Sequence, residues 1–222
     1  MKVYKFGGAS VKNADGVRNL LDIVTGEKEL FIIVSAMGKT TNALEGVFAA
    51  MQQGDEALAL SRIDESYAYH RTIIDDLMGA DITIDQVNIL FAQLRNTVKN
   101  TIYRPSDAEL WYDTIVAFGE LLSTTIVSNY LNGFGVKNRW VDMRRAILTE
   151  QRHKDANVNL EATAVRLKRE IKDSPVSVFV GQGFIGGAPD GTTTTLGREG
   201  SDYSAAIVAN VLDAESMSVW KD

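Results

Sequence analysis

The 222-residue chain has no cysteine, three prolines and two histidines. Without cysteine there is no disulfide framework and no thiolate metal centre. His70 and His153 lie far apart with no ligand-like spacing, so they read as surface or packing residues. No protein-held metal is expected, and any divalent ion would arrive with a nucleotide. Positive charge is scarce: 23 Lys and Arg against 29 Asp and Glu leave a net charge of -6. That argues against a nucleic-acid partner, whose phosphates call for a basic face, but not against a small anion that needs one local cation. Long apolar runs are also missing, and the opening "MKVYKFGGAS" lacks the core of a signal peptide. The expectation is a cytoplasmic protein without a membrane partner.

What is present is a core-forming composition, 45% hydrophobic, with strand and helix patterns in alternation. Val3 to Phe6 reads as a strand broken by Gly7-Gly8, followed by a helix from about Asp15 to Thr25. Leu30 to Ala36 is a continuous, β-branched apolar run, the pattern of a strand covered on both faces. Asp55 to Asn100 is helical with a break near Gly79. Ser106, with Glu109 as the partner of a capping box, opens a helix expected to run to Leu131. "VKNRWVD" and Val176 to Val180 are strands, Leu160 to Lys172 and Asp202 to Leu212 are helices, and "MSVW" begins a last strand. The expected fold class is α/β: a three-layer α/β/α sandwich around an open, mainly parallel sheet, one domain over residues 1–222 with a helical lobe at about 38–106. The chain stops at "SVWKD" as a strand should be finishing, so the domain is expected to be incomplete at its C-terminus.

Two phosphate motifs are decoys. "MGKTT" has the Gly-Lys-Thr of a Walker loop, but the required earlier glycine position holds Ile33. Gly181, Gly183 and Gly186 have dinucleotide-fingerprint spacing, yet "APDGTTTT" follows where a helix must open. A hairpin turning at Pro189-Asp190-Gly191 is the better reading.

The groups that remain carry chemistry. Lys5, Gly7 and Gly8 end the first strand, where a lysine can neutralise a phosphate and glycines let amides approach it; a tight turn is the alternative. Ser35, with Gly38, Lys39 and Thr40, forms a strand-to-helix loop that is either an anion contact or a helix cap. Glu120 lies in a helix apolar on most faces, with Asp113 seven residues earlier on the same side. A buried carboxylate needs a positive partner, either an internal Arg or Lys or a ligand ammonium. Arg198 can clamp a carboxylate, Gly200-Ser201 leaves amides for an anion, and Asp202 is either a site residue or a plain cap. A phosphate-facing lysine, a carboxylate-facing arginine and an ammonium-facing glutamate together suit phosphoryl transfer to an amino acid.

"KFGGAS", "FGE" and "TTLGREGSDYSAA" ahead of "VWKD", in that order along the whole chain, resemble the aspartokinases of the amino-acid kinase superfamily. The resemblance implies transfer of the γ-phosphoryl of MgATP to the side-chain carboxylate of L-aspartate, the first step toward lysine, methionine and threonine. It implies that Lys5 stabilises the transferring phosphoryl and Asp202 holds that lysine, both as catalytic residues. Gly7, Gly8 and Ser35 would line the phosphate path, and Asp222 would fall in the segment cradling the nucleotide. Glu120 would bind the aspartate ammonium and Arg198 a carboxylate, with Ser35, Thr40, Thr41 and Ser201 among the substrate contacts. Two residues depart from the family pattern. Glu199 stands where Gly is usual and is expected to point away, and Lys221 stands where Thr is common. Aspartokinases continue into ACT domains that pair subunits, so the parent is expected to be a homo-oligomer, and this chain alone is expected to bind MgATP poorly. The alternatives are a related glutamate or acetylglutamate kinase, a catalytically inactive fragment, or a nicotinamide-binding dehydrogenase, the last opposed by the missing helix after Gly186.

Overall fold

The apolar run at Leu30 forms a strand, Leu30–Val34, with all five residues buried. Leu30, Ile32 and Val34 enter one core, while Phe31 and Ile33 enter the other, as the two-residue period requires. In the computed structural model, which describes residues 1–221, seven strands occur: β1 (Lys2–Phe6), β2 (Leu30–Val34), β3 (Arg139–Val141), β4 (Val178–Gln182), β5 (Ile185–Gly187), β6 (Thr193–Thr195) and β7 (Ser216–Trp220). Five of them form one sheet in the order β3-β4-β2-β1-β7, every neighbouring pair parallel.

Helices cover both faces. One layer holds α1 (Ala14–Val24), α2 (Thr40–Gln52), α3 (Glu56–Met78), α4 (Asp85–Asn100), α5 (Ala108–Val116) and α6 (Phe118–Gly133). The other holds α7 (Met143–Ala146), α8 (Leu160–Ile171) and α9 (Gly200–Val211). The fold is therefore a three-layer α/β/α sandwich. Helix starts follow side-chain caps: Asn13 accepts from the Gly16 amide, Asp55 from Leu58 and Asn159 from Ala162.

Three local expectations are corrected. The helix expected from Ser106 to Leu131 is two helices, α5 and α6, separated by a turn at Ala117. Ser106 makes no cap: it lies in a 3-10 turn, Pro105–Asp107, and its hydroxyl donates to Asp107 Oδ1 at 2.9 Å. The strand expected at Val176 starts at Val178 and runs on to Gln182; the Val176 amide donates to the Ser174 hydroxyl instead of to a neighbouring strand. Strand β2 stops at Val34, which frees Ser35 and Ala36 for the loop crossing to Gly8. The glycine run after β4 forms the antiparallel β5-β6 hairpin, closed by the Gly191 amide donating to Ala188 O at 3.0 Å.

Candidate active site

Parallel strands bring their carboxyl ends to one edge, and β1, β2 and β7 bring Lys5, Gly8, Ser35 and Lys221 there. Gly8 is required by packing. A Cβ on it would lie 2.6 Å from Ala36 O, and the Gly38 amide donates to Gly8 O at 2.9 Å, so the two loops are in backbone contact. Between these strand ends and the start of α9 lies a cavity of about 340 Å³.

Lys5 shares with Val3 the sheet face that packs on α9, so strand alternation points it at the first turn of that helix. Its Nζ pairs with Asp202 Oδ1 at 2.7 Å, and Lys221 Nζ pairs with Asp202 Oδ2. Burial acts to raise the Asp202 pKa, but the two lysines outweigh it and hold the carboxyl below its ordinary range. One carboxylate thus orients two ammonium groups at the cavity wall.

Glu120 occupies the opposite wall, in the first turn of α6 and 3% exposed. Gly119 permits this approach, since a Cβ there would meet Ala36 Cβ at 2.9 Å. Glu120 Oε1 accepts from the Ala36 amide at 3.2 Å, and Oε2 has no partner among the described residues. Burial pushes its pKa up to about 8, with the Ala36 amide opposing. No lysine or arginine among the described residues pairs with it. Asp113, expected on the same side, serves another place: the turn at Ala117 intervenes, and Asp113 binds Thr195, Lys154 and His153. His153, read as a surface or packing residue, is thereby a tie to a buried carboxylate.

Of the other sequence-derived candidates, Ser35, Thr41 and Ser201 line the cavity. Thr40 does not; its buried hydroxyl donates to Met37 O at 2.6 Å. Gly7 supports the site from behind, its amide donating to Trp220 O at 2.9 Å. Arg198 is exposed and outside the cavity lining, although its neighbours Gly197 and Glu199 are in it. The Gly200 and Asp202 amides donate to Gly197 O and Glu199 O, which leaves the Ser201 amide as the open one of the three among the described residues. Asp222 lies outside the described residues.

Sequence reasoning overlooked Phe184, which lines the cavity with φ 68° and whose amide donates to the Ser204 hydroxyl at 3.0 Å. Its only sequence signal was its place inside the glycine run dismissed as a dinucleotide decoy. Glu199, expected to point away, instead lines the cavity, with φ 56° as the residue preceding α9. Its left-handed backbone occupies the turn into the helix, and its charge acts on Lys221 of the same cavity wall. A cavity with paired ammonium groups on one side and an open buried carboxylate on the other can hold a phosphoryl group and an amine at once.

The amino acid kinase family profile matches residues 1–222. The chain is 32% identical to aspartokinase 1, chloroplastic, of Arabidopsis thaliana, over 99% of this chain and 40% of that protein. It is 29% identical to the lysine-sensitive aspartokinase 3 of Escherichia coli strain K12, over 99% of this chain and 48% of that protein. The solved structure of E. coli aspartokinase III in complex with aspartate and ADP superposes with a TM-score of 0.88 at 27% identity, covering 100% of this chain and 49% of that one. The chain thus spans about half or less of the length of these relatives. Among the described residues no helix is long and apolar enough to cross a membrane.

Proposed function

Because the chain belongs to the amino acid kinase family, we propose that it is the phosphoryl-transfer domain of an aspartokinase, moving the γ-phosphoryl of MgATP to the side-chain carboxylate of L-aspartate. The observation that carries the reading is the buried Glu120 Oε2, without a partner among the described residues and across the cavity from the Lys5–Asp202–Lys221 group. In this reading the aspartate ammonium meets Glu120, which restores the carboxylate to its ionised form. Ser35, Thr41 and Ser201 supply hydroxyls around the substrate, and Arg198 turns inward to clamp a carboxylate. Thr40 positions the loop bearing Thr41 rather than touching substrate.

A carboxylate oxygen of aspartate forms the new bond to phosphorus as the bond to the ADP leaving oxygen breaks. The nucleophile is already ionised, so no strong general base is needed. Catalysis is placement and charge: Lys5, aimed by Asp202, offsets the charge on the transferring group. Lys221 adds a second cation beside it, and the Gly8 loop brings backbone close to the phosphates. Mg²⁺, bound to the nucleotide phosphates, supplies further neutralisation when present.

The test is to incubate the chain with L-aspartate, hydroxylamine and MgATP in large excess, which offsets the weak nucleotide binding expected of this chain alone; hydroxylamine traps an acyl phosphate as the hydroxamate. Aspartyl hydroxamate forms with aspartate but not with glutamate or acetylglutamate. Lys5→Ala lowers its rate by roughly 10²–10³, with aspartate affinity by calorimetry largely kept. Near-normal turnover in Lys5→Ala, or an equal rate with glutamate, overturns the reading.

A further inference from the structure

On the α7/α8 side of the molecule, a second cavity of about 460 Å³ is lined by Arg144, Arg145, Arg166, Arg169, Asp142 and Thr193, among others. Four guanidiniums from two helices face one aspartate, in a chain whose net charge is -6. Arg144 is satisfied by Asp142, with Nε and Nη2 at 2.9 and 2.7 Å from its two carboxylate oxygens. Arg145 lies 3.7 Å from Glu170. Arg166 and Arg169, three residues apart and so on one face of α8, have no ion-pair or hydrogen-bond partner among the described residues. The turn of the β5-β6 hairpin, at Ala188, Pro189 and Gly191, forms the facing wall.

With Arg144 and Arg145 already matched to carboxylates, the charge left uncompensated is that of Arg166 and Arg169, which repel each other unless an anion joins them, and whose planar forks match phosphoryl oxygens two at a time. The lining has no aromatic residue and no large apolar anchor, as a protein interface would present. Without an aromatic surface there is also no platform for a base. The volume is that of a small-ligand site. We propose that this cleft binds a compact polyphosphate or phosphate ester through Arg166 and Arg169, with Arg144 and Arg145 at its edge. It lies outside the cavity lined by Lys5 and Glu120, with which it shares no lining residue.

The probe is inorganic pyrophosphate, titrated calorimetrically into a Lys5→Ala background so that the phosphoryl-transfer cavity does not compete. Binding is 1:1 and weakens as salt rises. Adding Arg166→Gln and Arg169→Gln raises the Kd at least about tenfold, the equivalent of one lost charge-assisted contact. Neither side chain belongs to the hydrophobic core packed under α8, and far-UV circular dichroism checks that the variant keeps its helices. Absence of binding at millimolar pyrophosphate overturns the proposal, as does an unchanged Kd in the arginine variant. Equal affinity for citrate overturns the phosphate assignment, and tighter binding of an acidic peptide overturns it in favour of a protein partner.

Discussion

Asp113 and Glu120 stand seven residues apart on consecutive helices, and both are buried, yet their surroundings are opposite. The Thr195 hydroxyl and amide donate to Asp113 at 2.6 and 3.0 Å, the Lys154 amide donates at 2.9 Å, and His153 Nδ1 lies 3.1 Å away. Glu120 accepts from the Ala36 amide at Oε1, and its Oε2 has no partner among the described residues. Burial acts to raise both pKa values. Four hydrogen bonds from three residues, Thr195 foremost, pull Asp113 back, whereas little opposes the rise at Glu120, which reaches about 8. A carboxylate that ties the fold together is saturated by the elements it ties: here α5, the loop at His153 and β6. A carboxylate left open in a cavity wall is kept for something outside the chain.

The largest effect expected from breaking this contrast is at the saturated member. Asp113→Ala leaves the buried amide and hydroxyl of Thr195 without an acceptor, a loss of about 3–5 kcal/mol. Thermal denaturation should show a midpoint lower by roughly 10 °C. A drop within error would mean that Asp113 is not the tie its contacts suggest. Glu120→Gln should do the reverse, keeping the fold while weakening L-aspartate binding by roughly 10–100-fold, the worth of a charged hydrogen bond. Calorimetric titration with aspartate decides it, and an unchanged affinity would remove Glu120 from the substrate site.

A subtler expectation concerns pH. Because burial raises the folded pKa of Glu120 from the ordinary 4.5 to about 8, the folded chain keeps a proton that the unfolded chain has released. Stability therefore falls as pH rises through that window and levels off above it. Buried His70 has the opposite slope: its folded pKa, lowered by burial from 6.5 to about 4, costs stability as pH falls through that range. The clean interval is thus pH 6.5 to 8, where the Glu120 contribution amounts to about 2 kcal/mol. Urea midpoints should decline across it in the parent chain and stay flatter in Glu120→Gln. Parallel declines in both proteins would place the titrating group elsewhere, with Asp113, also raised, the first to test.

The sheet and both helical layers were legible because β2 and β4 are apolar on both faces and α1 and α8 carry one apolar stripe each. Lys5, Ser35 and Glu120 were legible for a related reason: a polar group in a buried pattern stands out. What escaped depended on pairings distant in sequence. Asp113 and Glu120 looked alike because a helix read as continuous puts both on one side, and nothing local marks the turn at Ala117. Phe184 and Glu199 escaped because a left-handed backbone at a non-glycine residue leaves no compositional trace. The orientation of Arg198 depends on the loop between two positive-φ residues, Gly197 and Glu199, which residue type alone does not specify.

Glu199 extends the contrast to a third carboxylate, one that is exposed and lies at the cavity opening. Its side chain is in no salt bridge among the described residues, and its charge only adds to the rise in the Lys221 pKa, behind the direct effect of Asp202. Its φ of 56° is one that a side-chain-bearing residue adopts at a cost of roughly 1–2 kcal/mol. Glu199→Gly removes that strain and returns part of the gain to the more flexible unfolded chain, so a net stabilisation of about 0.5–1 kcal/mol is expected. Glu199→Ala keeps the Cβ and removes the charge, which separates the two causes. If strain dominates, Gly raises the denaturation midpoint and Ala does not. If the charge dominates, both variants shift alike and aspartate, itself an anion, binds slightly tighter to each. Equal stabilisation by Gly and Ala would therefore refute the backbone explanation and make Glu199 an electrostatic brake at the cavity mouth.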